Sequence, residues 1–437
     1  MVAKRQPSLW RWGAALGSIA LAVLLGSAAL LIGAAATAGP WTALQPIPIS
    51  TSQHVTVWKV IGDPNTPQDL AAATSRGVWI SSDDGQSWTA TSISQFTWTV
   101  AYGNSGSVLY AGTASAGVFR STNSGQSWRQ VNTGLHTLDV RAIATGPTAI
   151  VLGTQEGVYV SGDGTSWERA GMSSLSISAV AIIASNPLGV LAGADQVAQQ
   201  DNLFLSLSVG TDSGWQSVPG GDPGGAPVFS VAAGPLAKGA TSPPLLVGSL
   251  KGLYASSDGG TTWQAQTLAG GALWSVDSIA FDPDNPAVIY VGGDNGGSTG
   301  GGLQRTVNGG TAWAAFSHGL PSLEVTGLST LSTTPLTVLA STWNPVSLRG
   351  RTARALDSTA PGPVALSSSS GTPISVAVSP TPTPSATPRH HHTKPTKGSS
   401  IPIAALVAVL VVLILVAIAL GIYLRRRRQR LEAEAPP

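Results

Sequence analysis

One segment that recurs along the chain restricts the fold more than any other feature. Gly77–Trp88 reads GVWISSDDGQSW, and Gly117–Trp128 repeats it as GVFRSTNSGQSW. Further copies are Gly157–Trp167, which is one residue shorter, Gly252–Trp263 and Gly302–Trp313. Each copy joins a short apolar segment to a polar, glycine-containing turn and then to a tryptophan. This pattern predicts a strand, a tight turn and the start of another strand.

The spacing of the copies gives the size of the repeat. With Trp215, which ends a weaker unit beginning at Asn202, six tryptophans lie 40, 39, 48, 48 and 50 residues apart. A period of about 40–50 residues with four short strands per unit is typical of a β-propeller blade. Val325–Leu328 and Leu336–Ala340 supply two later strands, and the segment beginning at Trp41 supplies the missing outer strand. The chain is therefore predicted to be all-β, with a single propeller over residues 41–356. Seven four-stranded blades are expected, with six as the alternative.

The Ser-x-Asp-x-Gly-x-x-Trp pattern resembles the Asp-box, or BNR, repeat of sialidase-like propellers. That group includes sortilin-type receptor domains, xyloglucanase-type glycosidases and photosystem II assembly-factor propellers, so the resemblance implies a fold and no single function. The motif positions are expected to be structural, because Asp or Asn can accept backbone N–H groups and glycine takes positive φ. Asn replaces Asp in two copies, which argues against a general acid at this position. The motif residues are Ser81, Asp83, Gly85, Trp88, Ser121, Asn123, Gly125, Trp128, Ser161, Asp163, Trp167, Ser256, Asp258, Gly260, Trp263, Asn308, Gly310 and Trp313.

The two ends of the chain have the composition of membrane segments. Residues 1–12 are basic and precede an uncharged stretch, 13–38, which is either a transmembrane anchor or a signal segment. Residues 401–424 are uncharged and mostly aliphatic, long enough for a transmembrane helix, and a basic tail, 425–437, follows them. Because basic residues stay on the cytoplasmic side, we expect the propeller on the extracytoplasmic side of a cell membrane and the C-terminus in the cytoplasm. Residues 357–400, rich in Ser, Thr and Pro, are predicted to form a stalk.

Composition excludes several classes of function. The chain has no cysteine, so disulfides, thiolate metal sites and thiol nucleophiles are absent. Residues 41–400 carry 15 basic and 19 acidic side chains, a balance that disfavours a nucleic-acid partner. Three adjacent histidines, His390–His392, lack the spacing of metal ligands. The sequence predicts neither a metal nor a cofactor.

Candidate ligand-binding residues are expected on one face of the ring. In sialidase-like families the ligand lies on the face opposite the Asp-boxes, which is formed by loops between blades and between second and third strands. The resemblance therefore directs attention to residues in or beside those loops. The candidates are Arg76, Trp98, His136, Asp139, Arg141, Glu156, Lys251, Trp274, Asp294, His318 and Glu324.

Two functions remain open at this stage. A sialidase-like site would require a cluster of three arginines, with the first in an Arg-Ile-Pro segment, and that segment is absent. Without a recognisable catalytic set, the sequence favours a membrane-tethered scaffold that binds an envelope protein or a surface glycan. The alternative is an exported glycoside hydrolase, in which two of the loop carboxylates would act as a pair.

Overall fold

The computed structural model describes residues 39–366, apart from 50–53, 104–105, 186, 197–200, 210–213, 219–224, 271–274, 295–300 and 345–348. These residues form strands, turns and loops. Among them, no helix is long and apolar enough to cross a membrane. The predicted membrane segments 13–38 and 401–424, and the basic ends 1–12 and 425–437, lie outside the described residues.

Within the described residues, 28 strands form seven four-stranded antiparallel sheets, the blades of a propeller. We number the blades 1–7 in chain order, starting from the sheet whose inner strand is Val57–Gly62. The inner strands are β2 (Val57–Gly62), β6 (Thr97–Tyr102), β10 (Val140–Thr145), β14 (Ile177–Ser185), β18 (Val228–Ala233), β22 (Ser275–Asp282) and β26 (Glu324–Leu331). The second strands are β3 (Leu70–Thr74), β7 (Leu109–Thr113), β11 (Ile150–Thr154), β15 (Leu188–Ala194), β19 (Leu245–Ser249), β23 (Asn285–Asp294) and β27 (Leu336–Asn344).

The outer half of each blade is shorter. The third strands are β4 (Gly77–Ser81), β8 (Val118–Ser121), β12 (Gly157–Ser161), β16 (Leu203–Ser206), β20 (Gly252–Ser256), β24 (Gly302–Thr306) and β28 (Arg349–Asp357). The outer strands are β5 (Thr89–Ala90), β9 (Arg129–Gln130), β13 (Glu168–Gly171), β17 (Gln216–Ser217), β21 (Gln264–Ala265), β25 (Ala314–Ala315) and β1 (Trp41–Ala43). The all-β propeller with seven blades is confirmed.

Strands from both ends of the chain close the ring, as expected from Trp41. Strand β1 pairs with β28, placing Trp41 opposite Ala355 and Ala43 opposite Ala353. Blade 7 also contacts blade 1 directly, because Thr326 Oγ1 donates to the carbonyl of Val57 at 2.6 Å. Closure leaves blade 7 with a partner on each side. The sequence pattern did not identify β28 as the third strand of this blade. Its arginines alternate with small residues, so the segment lacks the apolar pattern of the other third strands.

Close packing between blades depends on small residues in the second strands. A Cβ at Gly112 would lie 2.7 Å from the carbonyl oxygen of Val140, and a Cβ at Gly248 would lie 2.5 Å from that of Val276. Both contacts are shorter than real Cβ atoms allow. Glycine therefore lets the inner strand of the next blade approach the sheet, and the second strands β3, β7 and β19 are buried along their whole length.

The ring has two faces that differ in their connections. In each blade the turns between inner and second strands and between third and outer strands lie on one face, which we call the box face. Loops between second and third strands, and between successive blades, lie on the opposite face. Both ends of the described chain lie on the box face: β1 begins there, and Val364 and Lys238 join the segment after β28 to blades 6 and 5. The predicted stalk boundary at 357 thus falls at the last residue of β28, before a segment that packs on the ring.

Five turns on the box face share one hydrogen-bond pattern. The Ser or Thr hydroxyl donates to the Asp or Asn oxygen two residues later, at 2.7–2.9 Å. The same hydroxyl accepts the N–H of a glycine at 2.8–3.1 Å. The Asp or Asn oxygen accepts a second backbone N–H at 2.8–3.0 Å. At Asp83, both the hydroxyl and the backbone N–H of Ser87 donate to the carboxylate. These hydrogen bonds hold the pKa of Asp83 below its usual value.

Candidate binding site at the mouth of the channel

A β-bulge occurs at the same place in every inner strand. Each register shift against the second strand leaves one extra residue near the start of the inner strand. Bulges redirect a side chain and are common beside functional sites. The seven extra residues are Trp58, Trp98, Arg141, Ser178, Phe229, Asp277 and Thr326, and together they line one cavity of about 280 Å³.

We call this ring of seven residues the mouth, because it surrounds one end of the central channel. The inner strands of all seven blades line the channel immediately beyond it. The bulges lie where the inner strands begin, so the mouth is on the face opposite the box turns. The seven positions share one backbone geometry and carry different side chains, so the mouth is chemically uneven around its circumference.

Aromatic side chains cover the mouth at blades 1 and 2. The rings of Trp58 and Trp98 are 5.3 Å apart, and Phe96 lies 4.5 Å from Trp98 and 5.7 Å from Trp58. Trp58 and Trp98 are partly exposed at the cavity. The Nε1 of Trp58 is buried and lacks a hydrogen-bond partner among the described residues. This side of the mouth provides apolar area and an unused donor.

Arg141 is held at the mouth by two carboxylates and an indole. Its guanidinium donates to Asp139 Oδ2 through Nε and Nη2, each at 3.2 Å, and to Asp195 Oδ2 at 2.5 Å. Its Cζ lies 5.8 Å from the centre of the Trp98 ring, and Trp98 Nε1 donates to Asp139 at 3.0 Å. Two hydrogen bonds to one oxygen of Asp139, one to Asp195 and the contact with the indole hold the guanidinium in one orientation.

A second cavity of about 400 Å³ adjoins the mouth at blades 6, 7 and 1. We call it the acidic pocket, because Asp277, Asp294 and Glu324 line it together with the indoles of Trp58 and Trp343. Burial raises the pKa of Asp277 to about 6, a shift that the charges of Asp294 and Glu324 increase and a hydrogen bond from Ser275 opposes. Burial, followed by the charge of Asp294, also raises the pKa of Glu324. The acidic pocket therefore concentrates negative charge where water is partly excluded.

Lys59 follows the bulge of blade 1 and lines the channel behind the mouth. Burial lowers the pKa of its ammonium group. Lys59 follows Trp58, a lining residue of the acidic pocket, in the sequence. Among the described residues that line this pocket, none is lysine, arginine or histidine. Among the described residues, no group of His, Cys, Asp and Glu side chains is arranged to hold a metal ion.

The structure brings together five of the residues selected from the sequence. Trp98 and Arg141 are mouth residues, and Asp139 holds both of them. Asp294 and Glu324 line the acidic pocket. Their common feature is a position at the start of an inner strand or at the end of a second strand.

Five other predicted residues lie away from the mouth. Arg76 is exposed and donates to the carbonyl of His54 at 3.5 Å, and the Nδ1 of His136 lies 3.3 Å from the Tyr159 hydroxyl. Glu156 is exposed, 3.7 Å from an Arg169 nitrogen, and Lys251 is exposed in the loop between β19 and β20. The backbone of His318 lies against Gly39 beside blade 7. Trp274 lies outside the described residues.

Most of the mouth was missed because the bulge has no local sequence signature. No single residue type marks this position. The missed residues are two aromatic, two hydroxyl-bearing and one acidic: Trp58, Phe229, Ser178, Thr326 and Asp277. Their shared feature is the bulge in the backbone. Aligning the blades on the inner strands would have placed all seven in one column. The turn motif, which is the strongest repeat in the sequence, lies on the other face.

Comparisons with known proteins agree with the fold. The structure of YCF48 from Cyanidioschyzon merolae superposes with a TM-score of 0.50 at 15% identity, covering 73% of this chain and 99% of that chain. YCF48 bound to D1 peptide gives 0.51 at 14% identity, covering 73% and 98%. The extracellular domain of a putative one-component system from B. thetaiotaomicron gives 0.51 at 15%, covering 71% of this chain and 40% of that chain.

These identities are low enough that the likeness concerns the fold alone. No model of a known protein family and no curated protein matches the sequence. The mouth offers aromatic faces, one fixed guanidinium and an excess of carboxylates around an open cavity, which is a surface suited to binding.

Proposed function

We propose that the protein is a non-catalytic binding propeller that holds a polypeptide segment of another protein at the mouth of the channel. One observation carries this proposal: seven bulges direct seven different side chains into one cavity. The same bulge in every blade places seven side chains at equivalent positions around one cavity. Because these side chains differ, the site can recognise a specific ligand.

The composition of the mouth supports a protein partner. Trp and Arg are the residues most enriched at the centres of protein interfaces, and here Trp58, Trp98 and Arg141 adjoin one another. Leu138 and Leu323, at 44% and 42% exposed, lie beside the mouth on the same face. YCF48, which shares the fold, has a structure with a bound D1 peptide, so a propeller of this kind binds protein.

The proposed setting is the outer surface of a cell membrane, with an envelope protein as partner. It rests on segment 13–38, predicted to be a transmembrane anchor or a signal segment, and on the predicted transmembrane helix 401–424. Both described chain ends lie on the box face, so neither covers the mouth. A partner approaching from the opposite side would meet the mouth directly.

The proposal is tested by site-specific photocrosslinking in native membranes. A photoreactive phenylalanine derivative replaces Leu323 beside the mouth or, as the control, Val307, which is 36% exposed on the box face. We expect a protein adduct from position 323 that is lost when Trp98→Ala is added, and no such adduct from position 307. Equal adducts from both positions, or an adduct at 323 that is insensitive to Trp98→Ala, would refute the proposal, as would retention on immobilised glycans alone.

A second candidate function is glycoside hydrolysis, favoured by the acidic pocket. A carboxyl group whose pKa is raised to about 6, as at Asp277, is suited to a general acid, and two further carboxylates lie nearby. The test is hydrolysis of aryl glycosides and β-glucans by the full chain. Activity lost in both Asp277→Asn and Glu324→Gln would support this candidate, and intact substrates would exclude it for that panel.

A further inference from the structure

Two blades carry the same tyrosine–arginine pair near the box face. Tyr110 on the second strand of blade 2 lies opposite Arg120 on the third, and Tyr290 lies opposite Arg305 in the same way in blade 6. The other five blades have neither tyrosine nor arginine at these two positions. The two pairs have the same place in the repeat, so their surroundings can be compared directly.

In blade 6 the pair holds a carboxylate from the next blade. Asp357 ends β28 of blade 7, and its Oδ2 accepts hydrogen bonds from the Tyr290 hydroxyl, at 2.5 Å, and from Arg305 Nη1. The side chain of Asp357 is 2% exposed. Although burial raises the pKa of Asp357, hydrogen bonds from Arg305, Tyr290 and Thr359 bring it below its usual value. The pair is therefore able to bind an ionised carboxyl group that is shielded from water.

In blade 2 the corresponding place holds no carboxylate. Blade 3 has Ser161 where blade 7 has Asp357, since each lies opposite the first residue of its second strand. The Ser161 hydroxyl is used within its own turn, where it donates to Asp163 and accepts the N–H of Gly164. Tyr110 and Arg120 instead line a cavity of about 190 Å³ between blades 2 and 3.

Hydrogen-bond donors in this cavity lack acceptors. Arg120 donates through Nε to the Tyr110 hydroxyl at 3.1 Å. The Nη1 and Nη2 groups of Arg120, and the hydroxyl proton of Tyr110, have no acceptor among the described residues. Tyr110 is only 3% exposed, and an unmade hydrogen bond is unfavourable for a buried group.

The cavity also has an excess of positive charge on the side of blade 2. Arg129 on the outer strand lies directly opposite Arg120, a pairing in which like charges repel, whereas blade 6 has Ala314 at that position. In the part of the chain that the structure describes, neither arginine has a carboxylate within ion-pair distance. Asp163 lines the cavity, but its oxygens accept five hydrogen bonds within its own turn.

We propose that the cavity between blades 2 and 3 binds a carboxylate group of a ligand, which accepts from Arg120 and Tyr110 as Asp357 accepts from Arg305 and Tyr290. A carboxylate at this place completes the hydrogen bonds of both residues and reduces the repulsion between the two arginines. The cavity is formed by turns of the box face, opposite the mouth. This inference is therefore independent of the proposed function.

The walls of the cavity restrict what carries the carboxylate. Val108, Pro147 and Ile150 line it beside Arg120, so the charged group is expected at the end of a short hydrocarbon stem. A volume of about 190 Å³ accommodates the side chain of glutamate or a small free carboxylic acid. Both present the same group to Arg120, and the experiment separates them.

The experiment compares a carboxylate with its uncharged amide. The detergent-solubilised full chain is titrated with the peptides acetyl-Ala-Glu-Ala-amide and acetyl-Ala-Gln-Ala-amide, and binding is measured by NMR of the ligand. We expect the glutamate peptide to bind at least fivefold more tightly than the glutamine peptide at pH 7.5, and this ratio to fall in high salt.

Propionate, which is the glutamate side chain as a free acid, identifies the source of the carboxylate. Affinity close to that of the glutamate peptide would assign the site to free carboxylic acids. Affinity at least fivefold weaker would assign it to an acidic side chain of a partner. Both results support a carboxylate site, whereas tighter binding of inorganic phosphate than of any carboxylate would contradict it.

Three variants locate the effect. Arg120→Gln should reduce the ratio between the two peptides to below twofold, and Tyr110→Phe, which removes only the hydroxyl, should reduce it in part. Arg76→Gln is the control, because it removes an exposed arginine on the opposite face and should leave the ratio unchanged. Equal binding of the two peptides, or binding of neither, would overturn the inference.

Each variant is first compared with the parent protein by urea denaturation. A folded Arg120→Gln variant that keeps the full ratio would also overturn the inference. If Arg120→Gln does not fold, Tyr110→Phe decides the question, and an unchanged ratio in that variant has the same consequence. The mouth remains intact in all of these variants, so none of these results bears on the proposed function.

Discussion

The two faces of the ring use the same repeat in opposite ways. On the box face, five turns keep the same hydrogen bonds and closely similar side chains, from Ser81 and Asp83 in blade 1 to Thr306 and Asn308 in blade 6. At the mouth, all seven blades keep one backbone bulge and vary the side chain that it presents. The box turns repeat similar residues, as a structural role requires. The mouth repeats one backbone geometry with different side chains, as the proposed binding role requires. The difference teaches that the most repetitive part of this sequence is the part least informative about function.

Removing a box-face tryptophan should have the largest effect on stability. Trp167 is 3% exposed, and its Nε1 donates to the carbonyl of Val131 at 2.6 Å. We expect Trp167→Ala to lower the free energy of unfolding by about 3–5 kcal/mol, measured by urea denaturation. Trp98→Ala, at the partly exposed mouth, should lower it by about 1 kcal/mol. Similar losses from both variants would remove the proposed distinction between the faces.

Arg141→Met should have an intermediate effect, because it leaves Asp139 and Asp195 near each other without their cation. Since these side chains are partly exposed, we expect a loss of about 2 kcal/mol in urea denaturation at pH 7.5. Adding Asp139→Asn and Asp195→Asn should recover at least half of the loss. If it does not, the guanidinium contributes mainly through its packing on Trp98.

Asp277→Asn should stabilise the protein by about 1 kcal/mol at pH 7.5. Its folded-state pKa is raised above the unfolded value, so the charged form opposes folding. Below about pH 4, Asp277 is protonated in both the folded and the unfolded protein and does not oppose folding. As the pH rises from 4 toward 6, the unfolded protein ionises more readily, and the stability of the parent protein falls. The gain in the variant should disappear below pH 4, measured by urea denaturation across this range. A variant that is less stable at pH 7.5 would show that the carboxylate has a stabilising partner.

Asp83→Asn should have the smallest effect, since Asn123 and Asn308 hold the same turn. We expect the urea midpoint at pH 7.5 to match that of the parent protein. The pKa of Asp83 is lowered, chiefly by the Ser87 hydroxyl, so its contribution is present above the ordinary pKa and lost in acid. The variant should therefore lose less stability than the parent between pH 5 and pH 3. A large drop at pH 7.5 would mean that the box turns need a charge.

The sequence predicted the fold far better than the site. The period of the tryptophans gave the blades, and Trp41 gave the closing strand, because each depends on local residue types. Asp277 and Thr326 could not be found in the same way, since a bulge is set by pairing with the second strand and by the approach of the neighbouring blade. The sequence predicts Trp98, Asp139 and Arg141 as candidates because they lie in or beside a loop. The same criterion predicts Arg76 and Glu156, which lie outside the mouth.

The pairing of β1 with β28 has a consequence for the order in which the chain acquires structure. Trp41 leaves the ribosome more than three hundred residues before its partner Ala355. Blades 1–6 are contiguous in the sequence and can form as each is synthesised, whereas the first strand must wait for the last. A truncated or stalled chain therefore exposes an unpaired edge in blade 7 and an unmatched strand at the N-terminus. Because neither of two such chains contains β28, they cannot complete each other's blade, and incomplete synthesis should favour aggregation through these exposed strands.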